Sequence, residues 1–223
     1  NIDQRDHFIM PRVIALYGQS CSLKSDIARE ISRLTGYKVK HPGEAITTKA
    51  RALGMISGNS VEDDYHRHVD QATIDWVKSS PDLIVIVEST QLGFVLDGMK
   101  DIFRVEIQSE DSERESRWAR RKEEGGGRSR QIGENLDARD QDDEQLQRRL
   151  YGAKKVTSQP EFVLDSTDRS AEECAQEIWV MFEGKPLDRR FSDAIAGKTV
   201  MDKKQTKGIR PGPSSGAVRV YSV

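Results

Sequence analysis

Val13-Ile14-Ala15-Leu16-Tyr17-Gly18-Gln19-Ser20-Cys21-Ser22-Leu23-Lys24-Ser25 is the stretch whose reading decides the fold. Its first five residues are an apolar run of the kind buried in a parallel sheet. A polar loop follows, and then Ile27, Ala28, Ile31 and Leu34 recur at helical spacing until Gly36 stops the helix. Strand, loop and helix in this order have the layout of a phosphate-binding loop. Main-chain N–H groups at a helix start point at an anion, and the helix dipole favours it. Gly18, Gln19, Ser20, Cys21, Ser22, Leu23, Lys24 and Ser25 are therefore the candidate phosphate contacts, with Lys24 placed for the β- and γ-phosphates of ATP and the Ser25 hydroxyl for Mg²⁺. The pattern G-x-x-x-x-G-K-S/T is kept at Gly18, Lys24 and Ser25 and broken at Leu23, where a second glycine is expected. The competing reading of the loop is an ordinary polar turn, which the strand before it and the helix after it disfavour.

A chain of 223 residues can bury one sizeable core and carry appended segments, so one main domain is expected, from 11 to 184, after a polar lead-in over 1–10. Charged residues make up 32% and the mean hydropathy is -0.68, and no apolar run reaches membrane-spanning length. The start lacks a signal-peptide layout, so no membrane partner and a cytoplasmic location are expected. Cys21 and Cys174 are too few for a disulfide framework or a thiolate zinc site, and Cys21 reads as a small buried filler. The net charge of -2 hides an asymmetry: from Pro186 onward eight Lys/Arg face three acids, so 185–223 reads as an extended basic tail.

Along the chain, Tyr37–Val39 reads as a short strand, His41–Glu44 as a turn, and Ala45–Leu53 and Val61–Lys78 as helices. Leu83–Val87 is the clearest buried strand and ends in Glu88-Ser89-Thr90. Ligands of open α/β sheets lie beyond the carboxyl ends of the strands, which puts Glu88 in the crevice of the phosphate loop. Ile102–Ile107 reads as a strand and Ser112–Lys122 as a basic helix. After Gly125-Gly126-Gly127 come a charged helix from about Ile132 to Leu150, a strand at Phe162–Leu164 and a helix at Ala171–Phe182. The terminal Ala217–Val223 alternates like an edge strand.

From Val13 to Phe182 the order of elements resembles the cytidylate kinase branch of the P-loop nucleoside monophosphate kinases, particularly its short archaeal-type members. The resemblance is carried by the loop at Gly18–Ser25, Gly43-Glu44, Leu53-Gly54-Met55 and Asp70. It continues through Glu88 with Leu92-Gly93, the spacing Arg114-x-x-Arg117-x-x-x-Arg121, Arg139-Asp140 with Asp143, and Leu150-Tyr151-Gly152. It implies a parallel three-layer αβα kinase domain with a helical lid over about 112–152. By the same resemblance Arg117 and Arg121 would clamp the transferring phosphoryl group, and Arg139 would assist from the far side of the lid. Phosphoryl transfer needs such fixed cations and a site closed to water. Glu44, Asp70, Thr90 and Asp143 are the candidate acceptor-side residues, with His66 near them. Taken without the loop upstream, the arginine cluster would be a solvated basic helix paired with its glutamates.

Three positions depart from the family. Where its members hold the acceptor's phosphate with arginines, this chain has Thr47, Thr90 and Leu146, with Lys49, Arg51, Arg148 and Arg149 nearby. Losing those guanidinium forks disfavours a phosphorylated acceptor and favours an alcohol, whose proton a carboxylate takes. Glu88 is the expected base, with Mg²⁺ orientation as its alternative task; its Glu-Ser-Thr resembles the Glu-Arg-Ser element of deoxynucleoside kinases without the arginine. Viral enzymes resembling this family phosphorylate the hydroxymethyl group of a modified pyrimidine in DNA, which the missing forks and the phosphate-attracting tail fit. Such an enzyme would work in the host cytoplasm. A (d)CMP kinase with relocated arginines, and a non-catalytic nucleotide- or nucleic-acid-binding relative, are the competing expectations.

Overall fold

The computed structural model describes residues 13–55, 57–82, 84–123, 136–152 and 156–184, the side chain of Lys122 excepted. The lead-in, the glycine-rich middle of the expected lid with the start of its second helix, and the basic tail with its alternating end lie outside the described residues.

Strands β1 (Val13–Tyr17), β2 (Lys38–Lys40), β3 (Val85–Glu88), β4 (Ile102–Gln108) and β5 (Phe162–Asp165) form a five-stranded sheet in the order β2-β3-β1-β4-β5. Every pairing is parallel, with Leu16 opposite Glu88 and Lys40 opposite Val87. Alternation along each strand divides the core. Ile14, Leu16, Ile86, Val105 and Ile107 meet α1 (Lys24–Thr35) and α7 (Ala171–Glu183), while Val13, Ala15, Val85 and Val87 meet α3 (Asp63–Ser79) and α4 (Leu92–Val95) on the other side. The result is the expected three-layer αβα sandwich. Arg104 sits on the second face of β4, and its buried guanidinium donates to the carbonyls of Leu96 and Met99.

The remaining helices frame the carboxyl edge of the sheet: α2 (Pro42–Ala52), a 3₁₀ turn at Gly58–Ser60, α5 (Asp111–Glu123) and α6 (Leu136–Tyr151). One boundary differs from the sequence reading in a way that bears on the site. His41–Glu44 is not a free turn; α2 begins at Pro42, whose fixed φ and missing N–H suit a first helical turn. Gly36 does stop α1, at φ 75. Among the described residues no helix is long and apolar enough to cross a membrane.

Candidate active site

Gly18 leaves β1 at φ +135, and a Cβ there would lie 2.2 Å from the Ile107 carbonyl oxygen, so the first turn of the loop admits only glycine. Leu23, at the place of the missing second glycine, has φ 65 and ψ 2 as the residue preceding α1. The loop thus keeps a left-handed turn at this point, and Leu23 bears the steric cost that a glycine would avoid. Partial packing of its side chain against the main core offsets that cost. Cys21 is left-handed as well and is buried with Trp118 of α5 and Leu136 of α6, the buried filler role expected of it.

Lys24 opens α1 and is buried beneath this loop. Its Nζ donates to the Gln19 carbonyl and, at 3.3 Å, to Ser22 Oγ, so the loop's own oxygens hold the ammonium near the place of a phosphate. Burial pushes its pKa down to about 8 against the pull of Glu88 and Asp143. Glu88 projects from the end of β3 beside it. Burial pushes this carboxyl up, but the hydrogen bond from His41, the Lys24 charge and the Ser25 hydroxyl outweigh that and hold it below the usual glutamate range. Glu88 is therefore an ionised acceptor at neutral pH.

The principal cavity runs from this loop to the helices opposite. Ser20–Ser25, Arg121 and Arg139 line one end; Gly43, Thr47, Asn59, His66, Asp70, Thr90 and Leu146 line the other, with Glu88 and Asp143 between. Arg121 reaches towards Cys21 Sγ at 3.7 Å and Asp26 at 3.7 Å. Asp143 ties three elements together: it accepts from Ser20 Oγ at 3.0 Å, from Asn59 Nδ2 at 2.8 Å and from Arg139 Nη2 at 2.9 Å. Asp70 accepts from Tyr151 Oη at 2.8 Å, which joins α6 to α3, and burial raises its carboxyl against that bond. His66 Nε2–H donates to the Gly58 carbonyl at 3.2 Å, and burial lowers its pKa, which favours the neutral ring.

Four expected site residues lie outside the principal cavity. Arg117 is 3% exposed and does not line the cavity. One turn below Arg121 on α5, it is walled in by the end of β5 and donates to Ser166 O at 2.7 Å, Ser109 Oγ at 3.1 Å and Cys21 O at 3.3 Å, with Glu113 at 2.9 Å. It braces the loop from behind instead of clamping a phosphoryl group, as does Arg114, which donates to Ser20 O at 3.0 Å. Glu44 is exposed, because the early start of α2 turns Gly43, Ile46, Thr47 and Ala50 towards the cavity and Glu44 away. Gly18 and Gln19 line a second cavity behind the loop, with Tyr17, Phe94 and Glu106. The sequence reading gave no role to Asn59, Gln91 or His41; Asn59 and His41 lie in turns whose partners, Asp143 and Glu88, are distant in sequence, so no local pattern marks them. Gln91 lines the principal cavity, and its buried Oε1 has no hydrogen-bond partner among the described residues.

No protein-family model matches this sequence, and no curated protein matches it. Its likeness to known proteins is structural. An uncharacterized protein from Eubacterium ventriosum ATCC 27560 superposes with a TM-score of 0.53 at 10% identity, over 78% of this chain and 99% of that one. Shikimate kinase from Acinetobacter baumannii, in complex with shikimate, superposes at 0.51 and 15% identity over 79% of this chain and 96% of that one. A gluconokinase from Sinorhizobium meliloti 1021 gives 0.49 at 15% identity, over 85% and 98%. The parallel sheet and its flanking layers are thus the three-layer αβα fold that this shikimate kinase also has.

Proposed function

We propose that this chain is an ATP-dependent kinase that moves the γ-phosphoryl group to the hydroxyl of a nucleotide-type acceptor, specifically the hydroxymethyl group of a modified pyrimidine, such as 5-hydroxymethyluracil, in DNA. The observation that carries the alcohol acceptor is the distribution of positive charge in the principal cavity. Among the described residues its Lys and Arg side chains are Lys24, Arg121 and Arg139, all at the loop end. Thr47, Thr90 and Leu146 line the other end, and Lys49, Arg51, Arg148 and Arg149 are not among the lining residues. Lys49 lies over the Tyr65 ring at 5.5 Å, Arg148 faces Glu144 at 3.5 Å, and Arg149 faces Asp63 at 3.1 Å and donates to Asn59 O at 2.8 Å. A dianionic phosphate would be desolvated there without a counter-charge; a hydroxyl would not.

The residues present fit ATP and magnesium. Loop amides at the start of α1, with Lys24 and Arg121, supply donors and charge for a triphosphate. Ser25 Oγ, hydrogen-bonded to the Glu88 carboxylate, offers the hard oxygen donors that Mg²⁺ takes beside phosphates and water. Magnesium, when bound, neutralises charge on the phosphates. Glu88 accepts the proton of the acceptor hydroxyl as the new O–P bond forms and the bond to the β–γ bridging oxygen breaks; ADP leaves with that electron pair, and Glu88 returns the proton to solvent. Lys24 and Arg121 hold the charge that spreads over the phosphate oxygens. Asp143, joined to loop, 3₁₀ turn and α6, keeps the two ends of the cavity in register.

The resemblance to cytidylate kinase-like enzymes and the basic tail, with eight basic against three acidic residues, support the choice of a nucleobase within DNA and give the tail a role in attracting the phosphate backbone. The test is transfer of label from γ-labelled ATP to duplexes containing 5-hydroxymethyluracil, with thymine duplexes, CMP and dCMP alongside. Label on the hydroxymethyl DNA is expected. Label on CMP or dCMP alone would overturn the acceptor, and label on none, with nucleotide binding unchanged by Lys24→Ala, would make the chain a binding protein. Glu88→Gln is expected to lower kcat at least about a hundredfold with ATP affinity kept; full activity would remove Glu88 as the base.

A further inference from the structure

We infer that His41 is the positioning residue of Glu88, fixing the carboxylate so that it meets an acceptor hydroxyl; the inference rests on the alcohol-acceptor reading above. As sequence, His41 is only the start of a turn. The sheet gives it a neighbour: Lys40 pairs with Val87 in parallel, so the next residues of β2 and β3, His41 and Glu88, emerge side by side at the carboxyl edge. Pro42 excludes helical backbone at His41, which stands at φ -114 and ψ 81. Lys40 donates to Ala72 O at 3.0 Å and lies 5.3 Å over the Trp76 ring, tying this strand end to α3.

His41 Nδ1 lies 2.8 Å from Glu88 Oε1, with side chains only 14% and 10% exposed. An ionised carboxylate can only accept, so Nδ1 carries the hydrogen and donates it. The last torsion of a glutamate is broad, and a single buried donor on one oxygen removes that freedom. Ser25 and Lys24 approach the same carboxylate from the loop. His41 itself does not line the cavity, so it acts through Glu88 and not on the substrate. Orientation of a reacting group within a near-attack geometry is worth rate, not affinity.

The test uses two variants of the full chain. His41→Phe fills the ring's space without a donor; His41→Asn places an amide N–H where Nδ1–H stood. With hydroxymethyl DNA as acceptor, His41→Phe is expected to lower kcat at least about tenfold and leave KM for ATP unchanged, and His41→Asn to recover most of the loss. Wild-type kcat in His41→Phe, or equal losses in both variants with a raised KM for ATP, would overturn the role. A ring-nitrogen NMR spectrum of the unliganded wild type decides independently of activity and of whether the His41 variants fold. A protonated Nδ1 whose resonance moves in Glu88→Gln is expected, and a bare Nδ1 overturns the inference. A wild type that phosphorylates no alcohol overturns the underlying reading instead, and it does so before any variant is compared.

Discussion

Raising the pH from 7 to 9 is expected to weaken ATP binding about tenfold, because the loop's ammonium group is buried before the nucleotide arrives. Lys24 has its pKa pushed down to about 8 by burial. In the unliganded protein it is then about nine-tenths charged at pH 7, about half at pH 8 and about one-tenth at pH 9. A triphosphate restores the charge, so binding at pH 8 takes up about half a proton. Only the charged form grips the phosphates, so the affinity falls by about tenfold, or about 1.4 kcal/mol, between the two pH values. The sign for folding is opposite: the unfolded amine keeps its proton up to an ordinary 10.5, so this group's contribution to stability rises with pH between about 8 and 10.5. Isothermal titration calorimetry of Mg-ATP in buffers of different ionisation enthalpy reads the proton uptake directly. Lys24→Arg, whose guanidinium stays charged, is the control and should be flat over this range. A wild-type affinity constant from pH 7 to 9, with no buffer-dependent heat at pH 8, would refute the reasoning.

Leu23→Gly removes the left-handed strain and also some apolar packing, so thermal unfolding is expected within about 1 kcal/mol of wild type with ATP binding kept. Leu23→Val, β-branched at positive φ, should cost about 1–3 kcal/mol and weaken ATP, and a Val variant equal to wild type would contradict the loop geometry. Arg117→Ala should destabilise the fold by about 3 kcal/mol or more, since Glu113 and the Ser166 carbonyl lose a buried partner. Arg121→Ala, whose side chain is 44% exposed, should leave the melting temperature nearly unchanged and lower phosphoryl transfer at least about a hundredfold. The reverse pattern would return Arg117 to the clamp.

The layers were legible because burial on both sides of a parallel sheet leaves continuous apolar runs, and Val13–Tyr17 and Val85–Val87 are such runs. The loop was legible at Gly18, Lys24 and Ser25 because backbone geometry and charge constrain each of them. What stayed hidden depends on facing and register. Arg117 and Arg121 share one face of α5 and differ only in depth, which a four-residue spacing does not express. Glu44 lost its place because Pro42 starts α2 earlier than the apolar pattern does. His41 and Asn59 acquire their roles from partners 47 and 84 residues away, Glu88 and Asp143. Leu23 is the converse case: it breaks the motif in sequence and keeps its turn in space.

The claim beneath all of this is that one end of the cavity grips a triphosphate while the other offers no cation to a second phosphate. A crystal structure of the protein soaked with Mg-ADP and a nucleoside monophosphate tests it most directly. The account predicts ADP phosphates on the loop amides and Lys24, and no basic side chain within hydrogen-bonding distance of any monophosphate in the far end. A monophosphate whose oxygens are held there by Lys49, Arg51, Arg148 or Arg149 would contradict it.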